Sequence, residues 1–352
     1  MRSASSSSRR LPTVVVTSVI RSATQGHSHG GVYLVDLESA EATLVLDWDA
    51  ADIDWEGRGG DRGLRGVAFS GRRVYLAASN EIFVYDSDFR RLGSITSPYL
   101  KHCHEIDIDG DLLYLTSTGF DSVLRYDLKR DRFTDGYQLR YEKAAHLWNR
   151  LLGKVTAASI IGNVLPPRPA FRRFDPNEPG GPTAGDTCHL NSVTAAGDTF
   201  YVSGRWLRRL YAVRDGRMRS YANVPVGTHN ARPFRDGVIM NATDQNLIRV
   251  AGREGRTRQE LPITVYDAAK LRHTELATGQ ARQAFGRGLT VYHDRYLFAG
   301  SSPATISVFD LVEGYMLKAV NLTMDVRNAI HGLEVWPFAT LPGGISVEQL
   351  DA

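Results

Sequence analysis

The sequence of this 352-residue chain predicts an all-β fold, a six-bladed β-propeller. Six segments begin alike, with an arginine or histidine ahead of a short apolar strand, and most recur at intervals of roughly forty residues. A polar turn and further apolar strands follow most of them, and about four short strands per repeat is typical of a propeller blade. The six starting residues are Arg65, His104, His189, His229, Arg287 and His331.

The two ends of the chain indicate how the ring closes. The strand at residues 331–336 has no second strand after it, and the strand at residues 13–19 has no inner strand before it. We therefore expect the C-terminal strand to complete the N-terminal blade, which removes the open sheet edges. A β-sandwich or a pair of smaller β domains would not explain one orphan strand at each end.

This interpretation divides the chain into one domain with two tails. We expect residues 1–12 to be a disordered tail, residues 13–338 to be a single propeller, and residues 339–352 to be a loose C-terminal tail. An insertion at residues 136–187 is expected between the repeats that begin at His104 and His189. Its apolar spacing predicts a helix and its prolines predict an irregular loop, which together would form a lid over the channel mouth. A contact between two copies of the chain is the alternative role of this loop.

Composition and charge exclude several function classes. The chain holds 42 Lys and Arg against 39 Asp and Glu, a net charge of +3, which is too small a basic excess to predict nucleic-acid binding. No apolar run is long enough to span a bilayer, and no apolar signal core precedes the first strand. We therefore expect a cytoplasmic protein without a nucleic-acid or membrane partner.

Histidines occupy four of the six ring positions: His104, His189, His229 and His331. The first residues of propeller inner strands point at the central axis, so the symmetry of the ring brings these imidazoles together. Without compensation, four desolvated polar rings would compete for partners. Neutral imidazole is a good ligand for iron, zinc and copper, so we predict a divalent transition metal, with iron first and then zinc or copper. A water-bridged polar plug is the alternative.

Arg65 and Arg287 fill the two remaining ring positions. Guanidinium does not ligate a metal, but it holds a carboxylate or phosphate in a bidentate manner. We therefore predict a small anionic substrate beside the metal, with the glycines next to both arginines leaving room for it. The alternative is that each arginine pairs with a carboxylate in the channel.

Two further histidines, His27 and His29, lie on a glycine-flanked loop that topology places at the channel mouth. There they would serve as proton donors or additional metal ligands. An ordinary surface loop is an equal alternative.

The stretch Thr187-Cys188-His189-Leu190-Asn191 resembles a bacterial family of propeller proteins of unassigned function in which a similar Cys-His-Leu-Asn motif recurs. This resemblance implies the fold and no activity. The predicted ring is also similar in geometry to that of carotenoid-cleaving oxygenases, which hold iron with four histidines inside seven blades. It is similar, too, to the peptide-amidating lyases, which have six blades, axial histidines on zinc and channel arginines. Because fold analogy does not transfer function, these likenesses only widen the choice of chemistry.

These observations predict a metal-dependent enzyme with a histidine site on the propeller axis. We expect a non-haem iron oxidoreductase or oxygenase that acts on a small anionic substrate. A zinc-dependent lyase or hydrolase is one alternative. The other is a non-catalytic propeller that binds a ligand or a partner protein.

Overall fold

A computed structural model of the chain describes residues 10–24, 26–49, 63–142, 145, 147, 167–275 and 282–343. Within these ranges, antiparallel strands form six sheets arranged as the blades of a propeller, so the predicted fold is confirmed. The first three blades in chain order contain β1 (Thr13–Ile20), β2 (Gly31–Asp36) and β3 (Ala42–Asp47), then β4 (Val67–Ser70), β5 (Arg73–Ala78), β6 (Glu81–Asp86) and β7 (Arg91–Thr96), then β8 (Ile106–Asp109), β9 (Leu112–Ser117), β10 (Ser122–Asp127), β11 (Arg132–Arg140) and β12 (Ala170–Phe174).

The remaining strands complete the other blades and return to the first. They are β13 (Leu190–Ala196), β14 (Thr199–Gly204), β15 (Arg209–Arg214) and β16 (Arg217–Asn223), then β17 (Thr228–Phe234), β18 (Gly237–Ala242), β19 (Leu247–Gly252) and β20 (Thr257–Pro262), then β21 (Arg287–Tyr292), β22 (Tyr296–Ser301), β23 (Thr305–Asp310) and β24 (Tyr315–Asn321), and finally β25 (Asn328–Val335). Short 3-10 helices follow β9 and β18, at Thr118–Phe120 and Thr243–Gln245.

The first blade closes the ring as the sequence predicts. Its strand order is β25-β1-β2-β3, and β25 pairs antiparallel with β1, with Val335 opposite Val14 and Ile330 opposite Ser18. The inner strand begins at Asn328, three residues before the predicted start at His331. The last strand of the chain is thus hydrogen-bonded to the first, so the ends of the ring do not present open edges.

Among the described residues, six apolar clusters hold the blades together, and each contains residues of two neighbouring blades. Middle strands such as β18 and β22 are buried at all or nearly all positions because a blade packs against a neighbour on each side, and this explains their largely apolar composition. Phe298 and Phe309 in the sixth blade are completely buried. At the closure, Trp336 stacks on Phe89 of the second blade with ring centres 5.8 Å apart.

Bulges interrupt the inner strands at the ring positions. The pairing register shifts between His229 and Arg232 in β17 and between Arg287 and Leu289 in β21, and similar shifts occur in β13 and β25. The backbone turns to a positive φ of 50° at Asn230. A bulge breaks the strict alternation of side chains and re-aims them. Consecutive residues at the start of an inner strand therefore both reach the channel.

The predicted lid is not confirmed. The described part of the insertion includes β12, which pairs with β11 as the outermost strand of the third blade, far from the axis. Ala145 and Leu147 are helical and residues 141–142 are not, while residues 143, 144, 146 and 148–166, which include the rest of the predicted helix and the start of the proline-rich loop, lie outside the described residues. From the periphery the chain returns to the axis, where Gly185 donates its backbone N–H to the carbonyl of Gly119.

In the part of the chain that the structure describes, no helix is long and apolar enough to cross a bilayer.

Candidate functional site

The four ring histidines meet at the axis, as their places in the repeat predict. The ring centre of His104 lies 5.0 Å from that of His189 and 5.5 Å from that of His331. The rings of His189 and His229 are 6.5 Å apart. His104, His229 and His331 are buried, and the side chain of His189 is 16% exposed. The fold therefore brings four imidazoles from four blades into one cluster.

His104 is held through its Nδ1 atom. That atom lies 2.8 Å from the carbonyl oxygen of His102 and 2.9 Å from the hydroxyl oxygen of Thr118. A carbonyl oxygen can only accept a hydrogen bond, so Nδ1 carries the proton in the neutral ring. The Thr118 hydroxyl in turn donates to the carbonyl of Leu190 on the next blade. The unprotonated nitrogen of His104 is therefore Nε2.

His229 repeats this arrangement two blades away. Its Nδ1 atom lies 3.2 Å from the carbonyl oxygen of Gly227 and 3.0 Å from the hydroxyl oxygen of Thr243. The Thr243 hydroxyl donates to the carbonyl of Gly286 on the following blade at 3.0 Å. Among the described residues, the Nε2 atom of His229 is buried without a hydrogen-bond partner. Its lone pair is therefore available to a ligand.

The Nδ1 atom of His189 is held by a carboxylate instead of by a carbonyl and a hydroxyl. Its Nδ1 atom lies 2.8 Å from Oδ2 of Asp186, three residues earlier. The segment that carries both residues is fixed by buried Asp121, whose carboxylate accepts hydrogen bonds from the backbone N–H groups of Thr187 and Cys188. The tight turn after β9 thus positions the third imidazole.

His331 differs from the other three. Within the described ranges its Nδ1 atom is buried and makes no hydrogen bond. Burial, with added repulsion from the guanidiniums of Arg65 and Arg287, lowers the pKa of His331 well below its usual range. The two arginines therefore lower the pKa of the histidine that lies between them in the ring.

Burial favours the neutral form of three of the four imidazoles. Burial, followed by repulsion from Arg65, lowers the pKa of His104 well below that of a free imidazole. Burial, followed by repulsion from Arg287, does the same for His229. Neutral imidazole is the form that binds a metal ion.

The three measured ring separations in the cluster run from 5.0 to 6.5 Å. At a metal–nitrogen distance of about 2.1 Å, the centres of two ligating rings are roughly 4.5–6.5 Å apart. Oxygen partners at the second ring nitrogen are also the rule for metal-bound histidine. As the side chains are placed, however, the described residues contain no group of three or more His, Cys, Asp or Glu donors that could hold a metal ion.

Arg65 and Arg287 are both buried at the ring. One guanidinium nitrogen of Arg65 donates to the carbonyl of Cys103 at 3.2 Å. Arg287 lies over the ring of Phe285, with its guanidinium carbon 4.3 Å from the ring centre. Burial and the neighbouring Arg21 lower the pKa of Arg287 well below its usual range. The site thus holds a poorly compensated cation beside the histidines.

The glycines beside the ring arginines do not leave space for a ligand. A Cβ atom on Gly66 would lie 2.7 Å from the backbone nitrogen of Ile106 and 2.8 Å from a carboxylate oxygen of Glu105. One on Gly288 would lie 3.0 Å from the carbonyl oxygen of His331 on the neighbouring inner strand. The glycines instead allow neighbouring inner strands to approach closely. The expectation of ligand room at Gly66 was wrong for this reason.

Carboxylates line the other half of the channel. Glu105 Oε2 accepts a hydrogen bond of 2.6 Å from Asn230, two blades away, and burial raises the pKa of Glu105 to about 8. Glu334, Asp107 and Arg232 line a cavity of about 240 Å³ on this side. Strict alternation would have turned Glu105 and Glu334 out of the channel. Their position follows from the irregular start of the inner strands.

His27 and His29 have different surroundings. His27 lies on an exposed part of the loop, with its Nδ1 atom 3.0 Å from the hydroxyl of Thr24. His29 is completely buried, and its backbone bonds to Trp48 and Ile20. Their predicted role at the mouth stays a prediction.

Both cysteines are buried away from the histidines, in the apolar clusters on either side of the third blade. Burial raises the pKa of Cys103 to about 12, which favours the thiol form.

Sequence reasoning missed the partners that orient the imidazoles. Thr118 and Thr243 lie fourteen residues after the histidines they support, and this common offset was a usable signal. The role of Asp186 had no comparable signal because it depends on the path of the insertion.

Solved structures share the fold. The structure described as a nidogen/laminin complex aligns at 12% identity with a TM-score of 0.53, covering 92% of this chain and 97% of that chain. A protein of unknown function from Bacteroides caccae aligns at 10% identity with a TM-score of 0.53, covering 92% and 98%. At such identities the likeness shows the propeller fold alone.

No protein-family model matches the chain, and no curated protein matches it significantly. The resemblance at residues 187–191 to an uncharacterised bacterial family therefore stays a prediction.

Proposed function

We propose that the chain is a metal-dependent enzyme with its metal on the propeller axis. In this proposal the Nε2 atoms of His104, His189 and His229 bind the metal, His331 completes the ring of imidazoles, and a small anionic substrate lies beside them.

One observation carries the proposal: His104, His189 and His229 each present Nδ1 to oxygen acceptors. This leaves three lone pairs on Nε2 atoms within one largely buried cluster. An anion would be repelled by these lone pairs, whereas a divalent cation satisfies all three at once. The positive charges of Arg65 and Arg287 then favour an anionic substrate next to the metal.

Iron(II) is the first choice, and the reaction is then an oxidation or oxygenation of the anionic substrate. An all-imidazole site leaves the charge of the metal largely uncompensated and keeps coordination positions open, which supplies oxygen activation or Lewis-acid chemistry. The protein's own residues orient the imidazoles and hold the substrate. The reaction belongs in the cytoplasm in this proposal, where thiols such as Cys103 and Cys188 stay reduced.

A zinc-dependent lyase or hydrolase is the second candidate. Its support is the difference between His331, which lacks an Nδ1 partner within the described residues, and the three anchored histidines. Three protein ligands with an open fourth position is the usual pattern of catalytic zinc.

The test is metal analysis of the full chain, purified without a histidine tag and without a nickel column. We expect about one iron or one zinc per chain, consistent with a single site. Oxygen consumption with iron restored then distinguishes the two reactions. Protein that neither retains nor takes up iron, zinc or copper would contradict the proposal and favour a propeller that binds a ligand or partner without catalysis.

A further inference from the structure

Three arginines surround one phenylalanine next to the histidine cluster. The guanidinium carbons of Arg21, Arg282 and Arg287 lie 4.5, 4.9 and 4.3 Å from the centre of the Phe285 ring. The Phe285 ring centre is itself 6.4 Å from that of His229. Because all three guanidiniums contact one ring, three positive charges lie close together beside the proposed metal.

Arg287 is the least compensated of these charges. It is 6% exposed, and within the described ranges it forms no ion pair. Its Nε atom is buried without a hydrogen-bond partner, and its Nη1 atom makes contacts of only 3.4 and 3.5 Å to Gly286 and Thr243. A buried cation normally requires a partner, so an anion from outside the chain is the natural one.

Arg282 and Arg205 are further guanidiniums near Arg287, and their described partners supply little negative charge. Arg282 donates to the carbonyl of Thr243 at 2.7 Å and to the side chain of Asn246, both uncharged groups. Arg205 pairs with Asp244 at 3.5 Å, and that carboxylate is 44% exposed. Within the described ranges, neither Arg282 nor Arg287 forms an ion pair, because the nearby carboxylate of Asp244 pairs with Arg205.

We propose that Arg21, Arg282 and Arg287, arranged around Phe285, form a subsite for the phosphate group of a small phosphorylated molecule. A dianion matches the two guanidiniums of Arg282 and Arg287, which form no ion pair among the described residues, better than a single carboxylate does, and guanidinium forks match phosphate oxygens. Stacking on Phe285 holds the forks in place before the ligand arrives. The placement of the substrate at the metal rests on the proposed function, but phosphate binding itself does not.

This subsite lies on one side of the ring, at Arg287 and not at Arg65. Arg287 shares the Phe285 ring with two further guanidiniums, those of Arg21 and Arg282, whereas Arg65 donates to the carbonyl of Cys103. The phosphate is therefore held on the Arg287 side, next to His229, and the rest of the substrate extends toward the axis.

The first experiment measures binding of inorganic phosphate to the metal-free full chain by calorimetry. We expect Arg21→Gln and Arg282→Gln each to weaken binding at least about tenfold, as expected for loss of a charge-assisted contact. Arg253→Gln is the matched control, since Arg253 also stacks on an aromatic ring, that of Tyr221 at 4.5 Å, but belongs to another part of the surface. Acetate should bind more weakly than phosphate.

Thermal unfolding gives a second readout. Arg287→Met removes a buried cation, so we expect a higher Tm than wild type without phosphate and no further rise when phosphate is added. Wild type and Arg253→Gln should both gain Tm with phosphate. A purely structural arginine would give the opposite result, a lower Tm for Arg287→Met.

Three outcomes would overturn the inference: no phosphate binding by wild type, equal binding by Arg282→Gln, or acetate binding as tight as phosphate. Metal content separates this from the proposed function. Protein that holds its metal but ignores phosphate contradicts the subsite alone, and protein that binds phosphate but never a metal contradicts the proposed function alone.

Discussion

His104 and His229 lie on blades that are not adjacent, yet their Nδ1 atoms contact the same pair of groups. Each contacts a carbonyl oxygen two residues earlier and a threonine hydroxyl fourteen residues later. Each threonine also donates to a carbonyl on the following blade. The same device therefore orients an imidazole and joins two blades.

Replacing either threonine should weaken metal binding without removing a ligand. We expect Thr118→Val and Thr243→Val each to lower metal affinity about 10- to 100-fold, the usual effect of losing a group that orients a metal-bound histidine. Each variant also loses the hydrogen bond to a carbonyl of the following blade, which costs about 0.5–1.5 kcal/mol of unfolding free energy. Competition with a chelator measures the affinity, and urea unfolding measures the stability.

Thr134→Val is the control for these variants, because Thr134 bonds to Arg125 on the outer part of the third blade. If Thr118→Val and Thr243→Val both bound metal as tightly as wild type, their hydroxyl groups would serve only to join neighbouring blades.

The histidines themselves should be required for metal binding. We expect His189→Ala combined with His229→Ala to abolish bound metal, and single replacements of His104, His189 or His229 to reduce it, as measured by elemental analysis. His293→Ala, in an exposed hairpin turn, should retain full metal content. Full metal content in the double variant would refute the assignment.

The ring arginines should govern substrate binding and leave the metal in place. Arg65→Lys and Arg287→Lys keep a positive charge but lose the planar fork, so they test geometry more than charge. We expect KM for the anionic substrate to rise, with the larger effect at Arg287, while metal content stays normal. If both lysine variants bound substrate like wild type, the arginines would be structural.

Ring closure should be essential for folding. A chain that ends at Ile330 keeps only the first residues of β25 and reopens the first blade, so we expect it to lose cooperative thermal unfolding. A chain that ends at Gly343 keeps all of β25 and is the control. Similar melting of the two chains would be incompatible with closure through β25.

The free energy of unfolding should fall with rising pH because of the buried carboxylates in the half of the channel that Glu334, Glu105 and Asp107 line. Burial raises the pKa of Glu334, which is faced by Glu105, Asp107 and Arg232. The folded state therefore keeps a proton that the unfolded chain releases above its ordinary pKa of about 4.5. This contribution to stability is complete below that value and is lost as the pH rises through the folded pKa.

Urea unfolding across this range checks the direction. Glu334→Gln should make the free energy of unfolding less dependent on pH, whereas Glu313→Gln, at an exposed position, should keep the wild-type slope. If Glu334→Gln and wild type had the same slope, Glu334 would not be a source of the pH dependence of the free energy of unfolding.

The sequence by itself determined the fold and the composition of the ring. Strand length, polar turns and apolar runs are local properties, so the forty-residue repeat could be recognised without contacts. The unmatched strands at the two termini then required closure. Equivalent places in the repeat put His104, His189, His229 and His331 at the axis because a propeller converts equal sequence position into equal spatial position.

The tertiary structure alone decided what surrounds that ring. The contact of Asp186 with His189 depends on how the insertion returns from β12, and the grouping of Arg21 with Arg282 and Phe285 joins distant parts of the chain. Glu105 reaches Asn230 across the channel because the inner strands begin irregularly, which breaks the alternation on which a sequence-based prediction relies. Local pattern determines strands and repeats, whereas these contacts arise only when separate blades are closed into one ring.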